Sequence, residues 1–120
     1  MNNNKIILPL TLNKKWFDMI LSGVKKEEYR EIKPYWIKRF KAEILAKQVW
    51  TESGPILEKE YKFKHFDLIK FTNGYNPNSP SMVVELKGIK IGFGNPDWGG
   101  TKQDVFILEL GDILETKNIK

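Results

Sequence analysis

The sequence predicts an α+β fold, a small mixed β-barrel of five to six strands with two helices in the N-terminal half. Short apolar segments recur along the chain between Gly, Pro and Asn residues, as in small barrels. Two segments in the first half instead place apolar residues at helical spacing. The length of 120 residues suits a single domain, 1–120, around one core.

The first elements are a strand and a short helix. Alternating apolar residues over 6–12 predict a strand, and Pro9 within it indicates a sheet edge or a bulge. Asn13 can cap a helix over 14–22, which buries one apolar stripe. Gly23 follows as the left-handed stop of that helix.

The next elements lie between residues 26 and 65. Residues 26–32 are predicted to return as a strand, and Pro34 to open a second helix over 34–47 with an outward basic face. Ser53, Gly54 and Pro55 predict a turn. The segment 48–65 fits either a charged strand or a helical turn, and we expect a variable excursion there.

The C-terminal half is predicted to supply the remaining core strands. The segments 66–72, 82–93 and 105–110 are rich in β-branched and aromatic residues. Gly88 and Gly92 are the expected bends at barrel corners. Turns are predicted at 73–74 and over the loop 95–100.

Composition narrows the function classes. The chain has no cysteine, which removes disulfides and thiolate chemistry, and its one histidine leaves no predicted metal site or cofactor. Only a short apolar run precedes Pro9, so we expect no targeting or membrane segment and a cytoplasmic protein. Between residues 14 and 41, nine Lys or Arg and four Asp or Glu give 9 − 4 = +5, the whole net charge of the chain. Such a patch suits phosphate groups.

One motif in this basic segment has a spacing suited to binding chemistry, Gly23-x-Lys25-x-x-Glu28-x-Arg30. On a strand, Glu28 and Arg30 project from the same face, so the carboxylate can orient the guanidinium. Gly23 permits a tight turn, and Lys25 is expected to add a second, mobile cation. The residue types therefore predict an anion-binding cleft. The alternative is a ladder of exposed salt bridges, each contributing about 0–1 kcal/mol.

The motif resembles GxKxxExR, the signature of the ASCH domains, whose fold is similar to that of the PUA RNA-binding domain. The first strand and helix, the segment FDLIKFTNG and the terminal strand are also similar to the family, whereas 34–65 has no counterpart. The resemblance implies a PUA-like barrel with RNA or a nucleotide-like ligand as its partner. It also implies a cleft formed by the motif residues.

Three functions are open from the sequence. The first is a binding module for RNA or a nucleotide. Its predicted contact residues share a basic, aromatic or motif character: Gly23, Lys25, Lys26, Glu28, Arg30, Lys38, Arg39, Lys41, Asn73, Tyr75 and Trp98. The second is an enzyme acting on RNA or a modified nucleoside, like a ribonuclease or an amidohydrolase, with Lys25, Glu28, Tyr29 and Arg30 as catalytic candidates. The third is a module that docks an acidic protein partner.

Overall fold

The computed structural model describes residues 4–119, so the predictions for residues 1–3 and 120 lie outside the described residues. The fold is α+β and mostly strands, with two helices in the N-terminal half, α1 (Lys14–Leu21) and α2 (Pro34–Arg39). The strands, in chain order, are β1 (Ile7–Thr11), β2 (Glu27–Glu31), β3 (Glu43–Thr51), β4 (Gly54–Lys62), β5 (Leu68–Thr72), β6 (Ser81–Phe93) and β7 (Asp104–Lys117). No helix in this part of the chain has the length and apolar character needed to cross a membrane.

Five strands form one curled sheet, a half-barrel, in the order β1-β5-β6-β7-β2. β1 runs parallel to β5, and the other neighbours are antiparallel. β1 is an edge strand. Pro9 predicts this position, because proline has no backbone N–H to donate to a further strand. β1 and β2 are therefore the two open edges of the half-barrel.

The core lies on the concave side of this sheet. Alternate residues of β1 and β5 point into it, since successive side chains of a strand face opposite sides. Helix α1 covers the core with Phe17 and Ile20. The buried apolar residues of the cluster are Leu8, Leu10, Leu12, Phe17, Ile20, Phe40, Phe66, Ile69, Phe71, Met82, Val84, Phe106, Leu108 and Leu110.

Local signals at α1 and β2 give the predicted structure. The Asn13 side chain accepts a hydrogen bond from the Trp16 backbone N–H and caps the helix. Gly23 has φ of +85°, the left-handed conformation in which glycine ends a helix without strain from a Cβ atom. β2 then begins at Glu27.

The prediction of one helix over 34–47 is wrong, because α2 ends at Arg39 and β3 begins at Glu43. Phe40 is fully buried, and after it Lys41 takes a left-handed φ of 48°. This turn carries the chain away from the helix axis. Residues 43–51 instead pair along their whole length with 54–62 in an antiparallel ladder. The hydrogen bonds and contacts of this pairing outweigh the helix propensity of the segment. Ile44 and Leu45, at the start of β3, are exposed.

The segment that the sequence left open is a β-hairpin. β3 and β4 pair with each other in a separate two-stranded sheet. The turn between them is formed by Glu52 and Ser53, so it overlaps the predicted turn only at Ser53, and Gly54, with φ of +110°, already begins β4. Trp50 and Leu57 near its tip are 75% and 73% exposed. The hairpin therefore projects from the half-barrel instead of completing it.

The longest strands carry the irregularities of the sheet. The pairing of β6 with β7 shifts register between Val83 and Gly88, which agrees with the bend predicted at Gly88. The register is regular through Gly92, so no bulge accompanies the bend predicted there. β7 extends to Lys117, beyond the predicted end at 110, because β6 offers it a partner along its whole length.

Candidate functional site

The motif is placed by the end of α1 and by β2. The backbone N–H of Gly23 donates to the Ile20 carbonyl, and that of Lys25 donates to the Met19 carbonyl, so the turn is closed against the helix. β2 then pairs with β7 along 27–31. This anchoring directs the Glu28 and Arg30 side chains to the core side of the sheet.

Glu28 is the centre of a buried ion network. Its residue is 5% exposed, its Oε2 lies 2.8 Å from Arg30 Nη2, and its Oε1 lies 3.3 Å from Lys25 Nζ. The predicted pairing of Glu28 with Arg30 is confirmed. The alternative of an exposed salt-bridge ladder is wrong, since burial keeps water from screening these charges.

Lys25 is not the mobile cation that the sequence suggested, because it is only 1% exposed. Its Nζ donates to the Trp98 carbonyl at 2.7 Å and lies against the rings of Trp16 and Tyr29, at 4.9 Å and 4.7 Å from their centroids. Burial lowers the pKa of Lys25 below its usual 10.5, and the nearby Glu28 carboxylate partly opposes that shift. Lys25 is therefore a fixed cation with a carbonyl, a carboxylate and two aromatic faces around it.

Arg30 links the two edge strands of the half-barrel. Its Nη2 also donates to the Thr11 carbonyl at 3.1 Å, which joins β2 to β1, the opposite edge of the sheet. Its guanidinium carbon lies 4.9 Å from the centroid of the Trp36 ring on α2. The Nε of Arg30 is buried and has no hydrogen-bond partner among residues 4–119. An outside ligand would therefore meet the exposed 17% of the Arg30 side chain and not this N–H.

Tyr29 joins the motif to the loop after β6. Its hydroxyl donates to Glu27 Oε1 at 2.7 Å and accepts from the Asn95 backbone N–H at 2.8 Å. Burial first of all raises the pKa of Tyr29 to about 12, with the nearby carboxylates acting in the same direction. At neutral pH Tyr29 is therefore a proton donor and not a base.

A cavity of about 410 Å³, the Arg30 cleft, opens beside this network. It lies between β2 and the segment 99–105, and its lining is Tyr29, Arg30, Glu31, Ile32, Lys33, Gly99, Thr101, Gln103, Asp104 and Val105. Two cations and two carboxylates line it. The cleft thus offers both hydrogen-bond donors and acceptors, and its volume is in the range of small-molecule sites.

Three predicted binding residues line a cavity other than the Arg30 cleft. Gly23, Lys25 and Lys26 line a smaller cavity of about 160 Å³ with residues of β7 and the end of α1. Lys26 is exposed. Lys25 therefore lies behind the Arg30 cleft and not on its surface.

Lys38, Arg39 and Lys41, predicted as contact residues on the basic face of the second helix, do not join the Arg30 cleft. Lys38 and Lys41 are exposed, Lys41 lies after the helix end, and Arg39 lies over the Phe66 ring at 5.9 Å. Among the described residues that line the Arg30 cleft, none of these three appears. They are surface cations that the shortened helix leaves apart from the motif.

The three remaining predicted contact residues, Asn73, Tyr75 and Trp98, have different surroundings. Asn73 donates its Nδ2 to the Leu12 carbonyl at 2.9 Å and supports the end of β1. Tyr75 is 92% exposed and lines another cavity, so its predicted place at the motif is wrong. Trp98 meets Lys25 through its backbone carbonyl, and its ring is half-buried.

Sequence reasoning missed the second wall of the cleft, Thr101, Gln103 and Asp104. The signal available for it was the polar stretch TKQD directly before the last core strand. This stretch is far from the motif along the chain, so the sequence alone did not indicate that the two form one cleft. Within residues 4–119 no group of three or more His, Asp or Glu is placed to hold a metal ion.

Comparisons with protein-family models, with curated proteins and with solved structures found nothing that matches this chain. The function is therefore inferred from the geometry of the site itself.

Replacing Lys25 by Met should change how stability depends on pH. The folded protein holds Lys25 at a lowered pKa, so between that pKa and 10.5 the unfolded chain binds more protons and stability rises with pH. The cost of burying the cation is complete below the lowered pKa and disappears toward 10.5. We expect wild type to gain stability relative to Lys25→Met in urea unfolding as the pH rises from neutral toward 10.5.

The control for that experiment is Lys26→Met, since Lys26 is the exposed neighbour. It should leave the slope of stability against pH as in wild type. A Lys25→Met variant whose stability runs parallel to wild type over the whole range would contradict a buried, desolvated Lys25.

Proposed function

We propose that this chain is an ASCH-type, PUA-like domain and that the Arg30 cleft binds RNA or a nucleotide-like ligand. The observation that carries the proposal is the state of Arg30, a guanidinium held by Glu28 and Thr11 whose side chain is 17% exposed and lines a cavity of about 410 Å³. A guanidinium fixed in this way is preorganised to donate to an acceptor on a ligand. The cytoplasm remains its predicted location.

The lining of the cleft favours the base of a nucleotide over a bare phosphate. Arg30 and Lys33 supply donors, Glu31 and Asp104 supply acceptors, and Gln103 supplies both. Nucleobase edges present donors and acceptors side by side, and single-stranded RNA exposes them. A bare phosphate presents acceptors only, and the two carboxylates would repel it.

The experiment is a titration of labelled single-stranded RNA hexamers at low salt. We expect Arg30→Met to lower affinity by about tenfold or more, as the loss of a charge-assisted hydrogen bond implies. Because Arg30 also joins two sheet edges, Gln103→Ala serves as a second variant that removes an exposed lining side chain and should lower affinity several-fold. Gln48→Ala, in the hairpin, is the matched control and should bind as wild type.

Wild-type protein that binds none of the hexamers at low salt would contradict the proposal. So would wild-type affinity in folded Arg30→Met and Gln103→Ala together.

A catalytic version of this function has one observation in its favour. Lys25 combines burial, a lowered pKa and a fixed carboxylate partner, and such groups cluster at catalytic sites. As an alternative we propose an enzyme acting on RNA or a modified nucleoside, with Lys25, Glu28, Tyr29 and Arg30 as its candidates. Incubation with labelled RNA and a nucleoside panel tests it: product formed by wild type and lost in Lys25→Met supports catalysis, and no product from any substrate excludes it for those substrates.

A further inference from the structure

A second cavity, the Tyr75 basin, lies at another part of the molecule. It measures about 310 Å³ and is lined by Lys70, Thr72, Gly74, Tyr75, Asn76, Pro77, Ser79, Ser81, Lys117 and Asn118. Within residues 4–119 its lining has no residue in common with that of the Arg30 cleft. The basin is therefore a candidate site of its own.

The basin lies on the sheet face opposite the core. Thr72 pairs with Ser81, and Ser81 pairs with Lys117, so these three side chains stand in one row across β5, β6 and β7. Lys70 precedes Thr72 by two residues and shares its face, whereas Ile69 and Phe71, the neighbours of Lys70 on either side, point into the core. Strand register, and not a flexible loop, thus brings the two lysines and two hydroxyls together.

The charge of the lining distinguishes this basin from the Arg30 cleft. Lys70 and Lys117 line it, and no carboxylate appears among its described lining residues. Glu115 lines an adjoining cavity together with Lys70, Ser81 and Lys117. Its Oε1 lies 3.5 Å from Lys117 Nζ, with both side chains more than half exposed. An exposed pair of this kind holds Lys117 weakly and leaves it available to an anion.

The loop from Asn73 to Pro80 that walls the basin is fixed in shape. Asn73 N–H donates to the Pro80 carbonyl at 2.9 Å, and Ser79 N–H donates to the Asn76 carbonyl at 3.1 Å. Ser79 Oγ in turn accepts from the Asn76 N–H at 3.1 Å, and Ser79 is buried. Gly74 has φ of +121°, and a Cβ there would come 2.6 Å from Ser79 Oγ, so only glycine fits.

Tyr75 adds an aromatic surface to this cationic basin. Its side chain is 92% exposed although the loop that carries it is tied at both sides. An exposed ring beside lysines and hydroxyls matches the two parts of a nucleotide, because the ring can stack on a base while cations and hydroxyls hold the phosphate. Ser and Thr hydroxyls donate to phosphate oxygens without adding charge.

We propose that the Tyr75 basin is a second binding site, specific for a nucleoside phosphate. Lys70 and Lys117 hold the phosphate group with Thr72 and Ser81, and Tyr75 stacks on the base. This site does not depend on the Arg30 cleft, because it uses other residues on another face of the sheet.

The test is an NMR titration of the ¹⁵N-labelled protein with AMP, adenosine and inorganic phosphate. AMP should shift the amide signals of Gly74, Tyr75, Asn76 and Asn118, and adenosine at the same concentration, which keeps the base but lacks the phosphate, should shift them much less. Lys70→Gln with Lys117→Gln should raise the Kd for AMP by about tenfold or more, as the loss of charge-assisted contacts implies. Both lysines are exposed, so the double variant should fold.

Three further variants sharpen the result. Glu115→Gln should lower the Kd for AMP about two- to threefold, since it removes the competing carboxylate. Tyr75→Ala should weaken AMP binding and leave inorganic phosphate binding unchanged. Lys47→Gln with Lys59→Gln, on the hairpin, removes the same charge elsewhere and should bind AMP as wild type.

Two results would overturn the proposal: a Kd for AMP in the Lys70→Gln/Lys117→Gln variant equal to that of wild type, or equal shifts from adenosine and AMP. Shifts confined to Arg30 and its neighbours would also overturn it and assign AMP to the other cleft. A 5′-phosphorylated RNA trinucleotide distinguishes a free nucleotide from the 5′ end of an RNA as the ligand of the basin. Tighter binding than AMP identifies an RNA end, and equal binding identifies a free nucleotide.

Discussion

Glu28→Ala should cost about 3–5 kcal/mol of unfolding free energy, the range for removing one partner from a buried ion pair. Glu28 is 5% exposed and faces two cations, Arg30 at 2.8 Å and Lys25 at 3.3 Å. Without it, both positive charges stay buried next to each other, with only the Thr11 and Trp98 carbonyls as acceptors. Urea unfolding at neutral pH measures the loss through the midpoint and the slope.

Glu31→Ala is the matched control, because it removes the same side chain three positions further along β2. Glu31 pairs with Lys33 at 3.2 Å, but the two side chains are 70% and 63% exposed. We expect a change of about 0–1 kcal/mol. Glu28→Ala should also cost less in an Arg30→Met background, where one of the stranded charges is gone. Equal small losses in Glu28→Ala and Glu31→Ala would show that the network does not stabilise the fold.

The elements that the sequence predicted well are those with local determinants. Asn13 caps α1 and Gly23 ends it, and both signals act within one turn of the helix. The common direction of Glu28 and Arg30 follows from the two-residue period of a strand, so their pairing was predictable once β2 was placed.

The elements that the sequence predicted poorly depend on contacts between distant segments. The apolar residues of 43–47 fit a helical stripe, yet pairing with 54–62 makes that segment a strand. The burial of Lys25 depends on the Trp98 carbonyl, 73 residues further along the chain. No pattern in the motif itself encodes that partner.

Only part of the site was predicted, because the rest also depends on contacts between distant segments. The motif supplies one wall of the Arg30 cleft, and the segment 99–105 supplies the other. Arg30 binds the Thr11 carbonyl because the half-barrel curls β1 and β2 toward each other, which is a property of the whole sheet. Tyr75 was assigned to the motif, but the loop between β5 and β6 places it beside Lys70 and Lys117.

Gly100→Ala is expected to cost more than about 3 kcal/mol or to prevent folding, which exceeds the usual penalty of overpacking. A Cβ at Gly100 would overlap the backbone carbonyl of Gly94 and approach the carbonyl carbon of Asn95 to 2.8 Å. Backbone atoms cannot rotate away as a flexible side chain does. The Gly100 N–H also donates to the Asn95 carbonyl at 2.8 Å, so the two ends of the loop are pressed together.

The consequence should reach the buried lysine, because the same loop carries the Trp98 carbonyl that accepts from Lys25. If Gly100→Ala folds at all, a displaced loop leaves Lys25 with Glu28 alone, and the Gly99–Thr101 wall of the Arg30 cleft moves with it. Gly92→Ala in β6 is the matched control, since a Cβ there meets only Ile107 Cδ1 at 3.6 Å, an ordinary contact. Thermal unfolding of both variants decides the matter: equal melting temperatures would mean that the close approach of Gly94 and Gly100 does not hold this loop in place.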